Sequence, residues 1–298
     1  MKRIAFIIVL IAGLWFNIRA QARPDTLGIG LPVIAQVNGG GSYITFPTDI
    51  GNIEPLWFEA NINPNFYLRH SKNFRLLGVI TPQIIIRMYQ EASFPVRTPS
   101  YIPQITLYYM FSGKANARNA SFYLRFGHHS NGQDGPFYLD NGEINVKSGN
   151  FATNFFTLGF IKTRFNQRFH AYQFFKTSFE VHPESWSIEE LKGQYSTVRW
   201  HNAFSVFKLP ATPSNRTPKK ARMSLRGELT WMFGDLNGWD WYDLNRVNLK
   251  FTFSYYPKFF EDVGFFVQFY HGLDYYNIYF HHQIDVLRFG IMTEKLRF

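Results

Sequence analysis

The stretch "VNLKFTFSY", residues 247–255, alternates without a break. Val247, Leu249, Phe251, Phe253 and Tyr255 fall on one side of an extended chain, and Asn248, Lys250, Thr252 and Ser254 on the other. Side chains of a β-strand point to opposite faces with a period of two, so this segment is a strand with one apolar and one polar face. Residues 221–233 repeat the pattern. Ala221, Met223, Leu225, Leu229, Trp231 and Phe233 oppose Arg222, Ser224, Arg226, Glu228 and Thr230. In a soluble sandwich the apolar face turns inward. In a transmembrane barrel it faces lipid and the polar face lines the lumen.

Composition and the two ends decide between these readings. Lys2 and Arg3 precede an apolar run over 4–16, and Ala20, Gln21 and Ala22 form an A-x-A site. Residues 1–22 therefore read as a secretory signal peptide. The chain has no cysteine, so no disulfide framework is expected in an exported protein. No later run of 18 apolar residues exists, which excludes helical membrane spans. Aromatic residues make up 19% of the chain, with 33 Phe and 17 Tyr, more than a soluble core needs and what the lipid face and rims of a barrel use. The net charge of +10 has no basic block to serve nucleic acid and suits anionic lipid head groups. The chain closes on "MTEKLRF" (292–298), with Phe298 a terminal aromatic.

These signs predict an all-β protein, a twelve-stranded antiparallel transmembrane β-barrel in the bacterial outer membrane. It forms one domain over 23–298, with 23–42 an N-terminal periplasmic segment. The strands are placed near 43–50, 55–69, 74–90, 101–113, 119–130, 152–163, 169–182, 193–208, 220–233, 243–256, 262–271 and 282–296. The loops at 71–73, 114–118, 164–168 and 257–261 are short and fall on the periplasmic side. The loop at 209–219 is long for that side. The loops at 91–100, 131–151, 183–192, 234–242 and 272–281 lie outside and carry most of the acidic loop residues.

The stretch "GHHSNGQDG" (127–135) ends the strand over 119–130. Phe122, Leu124, Phe126, His128 and Ser130 share its apolar, lipid-facing row, whereas Arg125 and His129 point to the lumen. On the next strand Ala152, Asn154, Phe156, Leu158 and Phe160 form the apolar row. Directly opposed residues on neighbouring strands lie about 5 Å apart, so His128, Ser130 and Asn154 gather at the outer rim on the lipid side, at the depth of phospholipid ester bonds. Polar groups facing lipid are costly unless they sit near the interface or act. Ser130 would be the nucleophile, His128 its general base, and Asn154 the group that fixes the imidazole tautomer.

At these residues the chain resembles outer-membrane phospholipase A. The resemblance rests on "HHSNG" (128–132) with the Asn on the next strand, on "FPVRTPSYIPQ" (94–104), and on "FFVQFYHG" (265–272) with the closing strand. It implies a twelve-stranded barrel that hydrolyses phospholipid acyl esters with Ser, His and Asn, requires calcium and acts as a homodimer. Carried over by position, it makes His128 the base, Ser130 the nucleophile and Asn154 the orienting group, with the Gly132 N–H at the oxyanion. It makes the Gln133 carbonyl and the Asn150 position, with Ser148 close by, calcium ligands, joined by Ala92 or Ser93 of a second copy. Asn150 also falls on the outward face by parity, but Asn154 matches better against the strand that follows. The loop from 132 to 150 is longer than the family's. Its Asp134, Asp140 and Glu143 are either calcium ligands or a solvated loop.

His271, His281 and His282 lack the carboxylate spacing of a metal site and read as rim residues. "WMFGDLNGWDW" (231–241) reads as an aromatic girdle followed by an outside loop. Two further functions fit a barrel of this kind, a lipid A deacylase and a non-catalytic porin.

Overall fold

The computed structural model describes residues 29–46, 50–68, 75–111, 118–210 and 220–293. The expected signal peptide (1–22) and the terminal Phe298 lie outside the described residues, as does most of the 209–219 loop. Among the described residues no helix is long and apolar enough to cross a membrane.

After one helix, α1 (Leu31–Gly39), the strands are β1 (Ser42–Thr45), β2 (Leu56–Ile62), β3 (Phe66–Leu68), β4 (Leu76–Tyr89), β5 (Ser100–Met110), β6 (Arg118–Ser130) and β7 (Ala152–Asn166). β8 (Ala171–Val181), β9 (Val198–Lys208), β10 (Met223–Phe233), β11 (Val247–Tyr255), β12 (Val263–Leu273) and β13 (Gln283–Thr293) complete the sheet. Neighbours in sequence pair antiparallel from β4 to β13. β1 pairs with both β13 and β2, which closes the sheet on itself. β2 and β3 both pair with β4 and are one stave broken at 63–65. The result is a closed antiparallel barrel of twelve staves, as the sequence predicts. At the break, Asn63 Nδ2 donates to the Gly39 carbonyl (2.7 Å) and Thr81 Oγ1 donates to Asn65 Oδ1 (2.7 Å). These bonds tie the break to the helix end and to β4.

The two faces of the wall separate as the two-residue period requires. Leu158, Phe179, Leu225 and Phe253 are exposed, while Thr157, Ser178, Ser224 and Ser254 beside them are buried. A contiguous apolar belt on the outside of a closed barrel is a lipid-facing surface. Several inward charges are paired with one another, since they have little water to turn to. Fully buried Glu59 takes hydrogen bonds from Arg87 Nε (2.8 Å), Tyr43 Oη (2.6 Å) and Tyr275 Oη (2.5 Å), and Arg87 grips Asp274 through two nitrogens (2.6 and 2.8 Å). Further round, Glu228 pairs with Arg226 (3.0 Å) and Lys250 (2.6 Å).

Both ends of the lumen are filled. At the outer end Phe137, Phe151, Tyr195, Tyr276, Tyr279 and Phe280 form an apolar cap. At the other end α1 enters the barrel. Ile34 is wholly buried, and Leu31 and Val37 pack with it against the inward-facing Leu77, Tyr108, Ile161, Phe174 and Phe207. Gly40, at φ 76°, terminates the helix and donates its N–H to the Gln36 carbonyl (2.9 Å). Arg226 Nη1 donates to the Val37 carbonyl (3.0 Å), placing a cation at the negative end of the helix. Part of the segment expected as periplasmic, 23–42, is therefore lumenal.

Some boundaries differ from the expected ones. The strand placed over 193–208 begins at Val198. Tyr195 leaves the ladder to pack edge-on against Phe151 (5.7 Å) and Phe280 (5.3 Å) in the cap, and Ser196 Oγ caps the Val198 and Phe233 carbonyls instead.

Candidate active site

The β6–β7 register sets His128 directly opposite Asn154, His129 opposite Thr153 and Ser130 opposite Ala152. His128 continues the row of exposed Phe122 and Phe126, and Asn154 is exposed on the same face. His128 Nδ1 and Asn154 Oδ1 lie 2.9 Å apart. His129, one residue on, is buried on the lumen side, with Nε2 3.1 Å from Ser100 Oγ and its ring edge-on to Phe151.

The hydrogen-bond network fixes the imidazole. Asn154 Nδ2 donates to the Trp186 carbonyl (3.0 Å). A carbonyl only accepts, so the amide nitrogen must face Trp186 and the amide oxygen must face His128. Nδ1 of His128 then carries the proton, and Nε2 keeps its lone pair. Ser130 shares this face two residues along, roughly 7 Å away along the strand, next to Tyr101 on β5. Its hydroxyl forms no hydrogen bond among the described residues.

Trp186 arrives there because β8 is short. The last β7–β8 pair is Phe156 with Val181, so the upper end of β7 lacks a strand partner on its β8 side. Residues 183–188 take the vacant edge. Ile188 N–H donates to the Ala152 carbonyl (3.1 Å), Ser187 bridges to Thr153, and a 3-10 turn, Glu184–Trp186, presents the Trp186 carbonyl to Asn154. The Trp186 ring stands edge-on to outward Phe156. The sequence reading treats this segment as loop. Its signal is Pro183, which cannot continue the ladder, followed three residues later by Trp186.

The loop after Ser130 is pinned by Asn131, which is wholly buried. Its Oδ1 accepts from the N–H groups of Gln133 (3.2 Å) and Phe151 (3.1 Å), and its Nδ2 donates to the Gly149 carbonyl (2.7 Å). Gly132 follows at φ 66°, exposed, with its N–H unengaged among the described residues. A Cβ there would stand 3.2 Å from the Tyr101 ring. Asn131 was not singled out in the sequence, although an Asn before Gly at a strand end signals such a turn.

Of the expected calcium ligands, Gln133, Ser148 and Asn150 belong to one folded unit. The Gly135 N–H donates to the Ser148 carbonyl (3.1 Å), and the Asn150 N–H donates to the Gly135 carbonyl (3.0 Å). The side chains of Gln133 and Asn150 make no hydrogen bond among the described residues, whereas Ser148 Oγ accepts from Asn145 (3.1 Å). Neutral carbonyl, amide and hydroxyl oxygens are the donors a hard cation takes, so the residues fit calcium in kind. Asn150 precedes β7 and does not reach His128, which bonds Asn154. Ser93 lies in a separate outer loop, at φ 66°. Asp134, Asp140 and Glu143 are exposed, and Glu143 bonds Asn141 (2.9 Å). No cluster of three His, Cys, Asp or Glu able to hold a metal exists among the described residues.

The remaining rim histidines are paired with neighbours. His271 Nδ1 meets Asp285 at 2.6 Å on the outer wall, and the His281 and His282 rings touch (3.8 Å). Burial, then the neighbouring His282, pushes His281 down to about 4.

Outer membrane phospholipase A from Escherichia coli aligns over 92% of this chain and 94% of its own, with a TM-score of 0.56 and 12% identity. The chain has the fold of outer membrane phospholipase A. A Salmonella typhi outer membrane phospholipase dimer with bound calcium aligns over the same shares, with a TM-score of 0.50 and 11% identity. The E. coli phospholipase has also been solved as an active-site mutant with an asparagine changed to alanine, again at a TM-score of 0.56. No family model and no curated protein matches the sequence. At this identity the likeness to outer membrane phospholipase A carries the barrel alone.

Proposed function

We propose that this barrel is an outer-membrane phospholipase A that hydrolyses acyl ester bonds of phospholipids. The observation that carries the reading is the 2.9 Å contact between His128 Nδ1 and Asn154 Oδ1 on the lipid-facing wall, with Ser130 on the same face. A soluble substrate has no access to that face, whereas a phospholipid in the outer leaflet lies against it.

Ser130 Oγ attacks the ester carbonyl carbon as its proton passes to His128 Nε2. Asn154 holds the imidazole and accepts from the Nδ1–H of the imidazolium. The Gly132 N–H, held outward by the Asn131 staple, faces the oxygen on which charge develops. Collapse breaks the bond to the glycerol oxygen, which takes the proton from His128 and leaves as lysophospholipid. Water then repeats the sequence on the acyl-serine and releases the fatty acid. Gln133, Asn150 and Ser148 would hold calcium, which when bound supplies positive charge beside the oxyanion. In the resemblance a second copy adds Ser93, so activity would require a homodimer.

In mixed phospholipid micelles the purified protein should release fatty acid. Ser130→Ala should end this, and a calcium chelator should suppress it. Turnover by Ser130→Ala equal to wild type would sink the proposal. Presenting lipid A and phospholipid side by side separates this reading from a lipid A deacylase. The porin reading is disfavoured by α1 and the aromatic cap, which fill the lumen at both ends.

A further inference from the structure

The 183–188 segment is tied to the wall from the lumen side as well as along its edge. Thr153 faces inward and is wholly buried. Its Oγ1 lies 2.7 Å from Ser187 Oγ and 3.0 Å from His182 Nδ1, and His182 Nε2 lies 3.0 Å from Glu180 Oε1. Burial, and then the charge of Arg199, push His182 down to about 4, so the ring is neutral near pH 7 and carries one N–H. A carboxylate only accepts, which places that N–H on Nε2 and leaves Nδ1 as an acceptor. The chain then has one direction. Ser187 donates to Thr153, Thr153 donates to His182, and His182 donates to Glu180. The ring of His182 is held between Phe155 (5.2 Å) and Tyr195 (5.2 Å, edge-on). Every member of this relay is fixed by packing or by a partner.

This inference rests on the hydrolase reading above for its consequence, but not for its geometry. We propose that residues 183–188 are a positioning strap, tethered inside the barrel by Thr153 and His182, which presses the Trp186 carbonyl against Asn154 and so holds His128 in the tautomer with Nε2 free. Thr153 and His182 are buried on the lumen side, away from the outer wall. The strap acts through Asn154, among the described residues the one side chain joined to both Trp186 and His128.

Thr153→Val removes the inner tether at nearly constant volume, and Thr153→Ser keeps the hydroxyl. The valine variant should lose about 10-fold in kcat, the scale expected when a catalytic group is misplaced by part of an ångström, with KM unchanged. The serine variant should recover the wild-type rate. Ser187→Ala, at the more accessible end of the relay, should give the same loss and stands in if Thr153→Val fails to fold. Nitrogen-15 histidine spectra, with His128→Gln to assign the signal, read the tautomer without turnover. Wild type should show Nδ1 protonated, and Thr153→Val or Ser187→Ala a mixture. If those spectra are unchanged in both variants, the strap has no hold on His128 and the inference fails, whatever the activity. If the spectra shift as stated but wild type hydrolyses no phospholipid, the strap stands and the hydrolase reading falls.

Discussion

His128 and His129 are adjacent in sequence and lie in opposite environments. His128 stands on the outer wall, where the surroundings are apolar and its one described side-chain partner is Asn154. His129 stands in the lumen, among a buried serine and aromatic rings. The same imidazole has different work in the two places. Outside, the ring is held through Nδ1 by Asn154, and on the proposed reading its other nitrogen serves the reaction. Inside, the ring is one tile in a closed polar mosaic, where an unmade hydrogen bond costs stability. The regions around them differ in the same way. The outer patch is sparse, with a few polar groups on an apolar field. The lumen is dense, with Glu59, Arg87, Asp274 and Arg288 joined in one network. A barrel can place chemistry on its sparse face because its dense face supplies the rigidity.

Four substitutions test that division. The largest effect is expected from His128→Gln, which should lower phospholipid hydrolysis by on the order of 10³-fold or more while leaving the urea unfolding midpoint unchanged. A matching loss of stability would mean that His128 is structural. Arg87→Ala leaves Glu59 and Asp274 buried without their shared cation and should cost roughly 3–5 kcal/mol of folding stability, read from unfolding in detergent or lipid. Leu158→Arg puts a charge on the exposed middle of β7 and should cost about 2–4 kcal/mol if that face meets the bilayer core. No change on transfer into lipid vesicles would contradict the assignment of faces. The smallest effect is expected from His129→Leu. It removes one partner of Ser100, which keeps a bond from Asn277 (2.8 Å), and should cost about 1–3 kcal/mol with hydrolysis retained. Lost hydrolysis at wild-type stability would erase the contrast between the neighbours.

The strands were legible because lipid and lumen impose opposite demands on successive residues, and the chain records both. That record reaches from Phe122 to Ser130 and places His128 outward from sequence alone. It fails where the chain leaves the ladder. Nothing periodic in 183–188 tells that the shortness of β8 opens an edge beside Asn154, since strand ends depend on what the neighbours leave free. α1 was missed for a related reason. "LPVIAQVNG" (31–39) is too short and too uniformly apolar to show a helical stripe, and its site is a volume that exists only once the sheet has closed. The strand pattern assigns Asn131 no role beside two histidines and a serine, yet it is the residue that sets the loop carrying Gly132.

The helix in the barrel's inner mouth has one more consequence. A protein that cleaves membrane lipids, as proposed for this one, would threaten the permeability barrier in which it resides. Ile34 and its neighbours pack across the bore at that end. On the proposed hydrolase reading, reactant and products would then come and go sideways through the leaflet rather than through the bore.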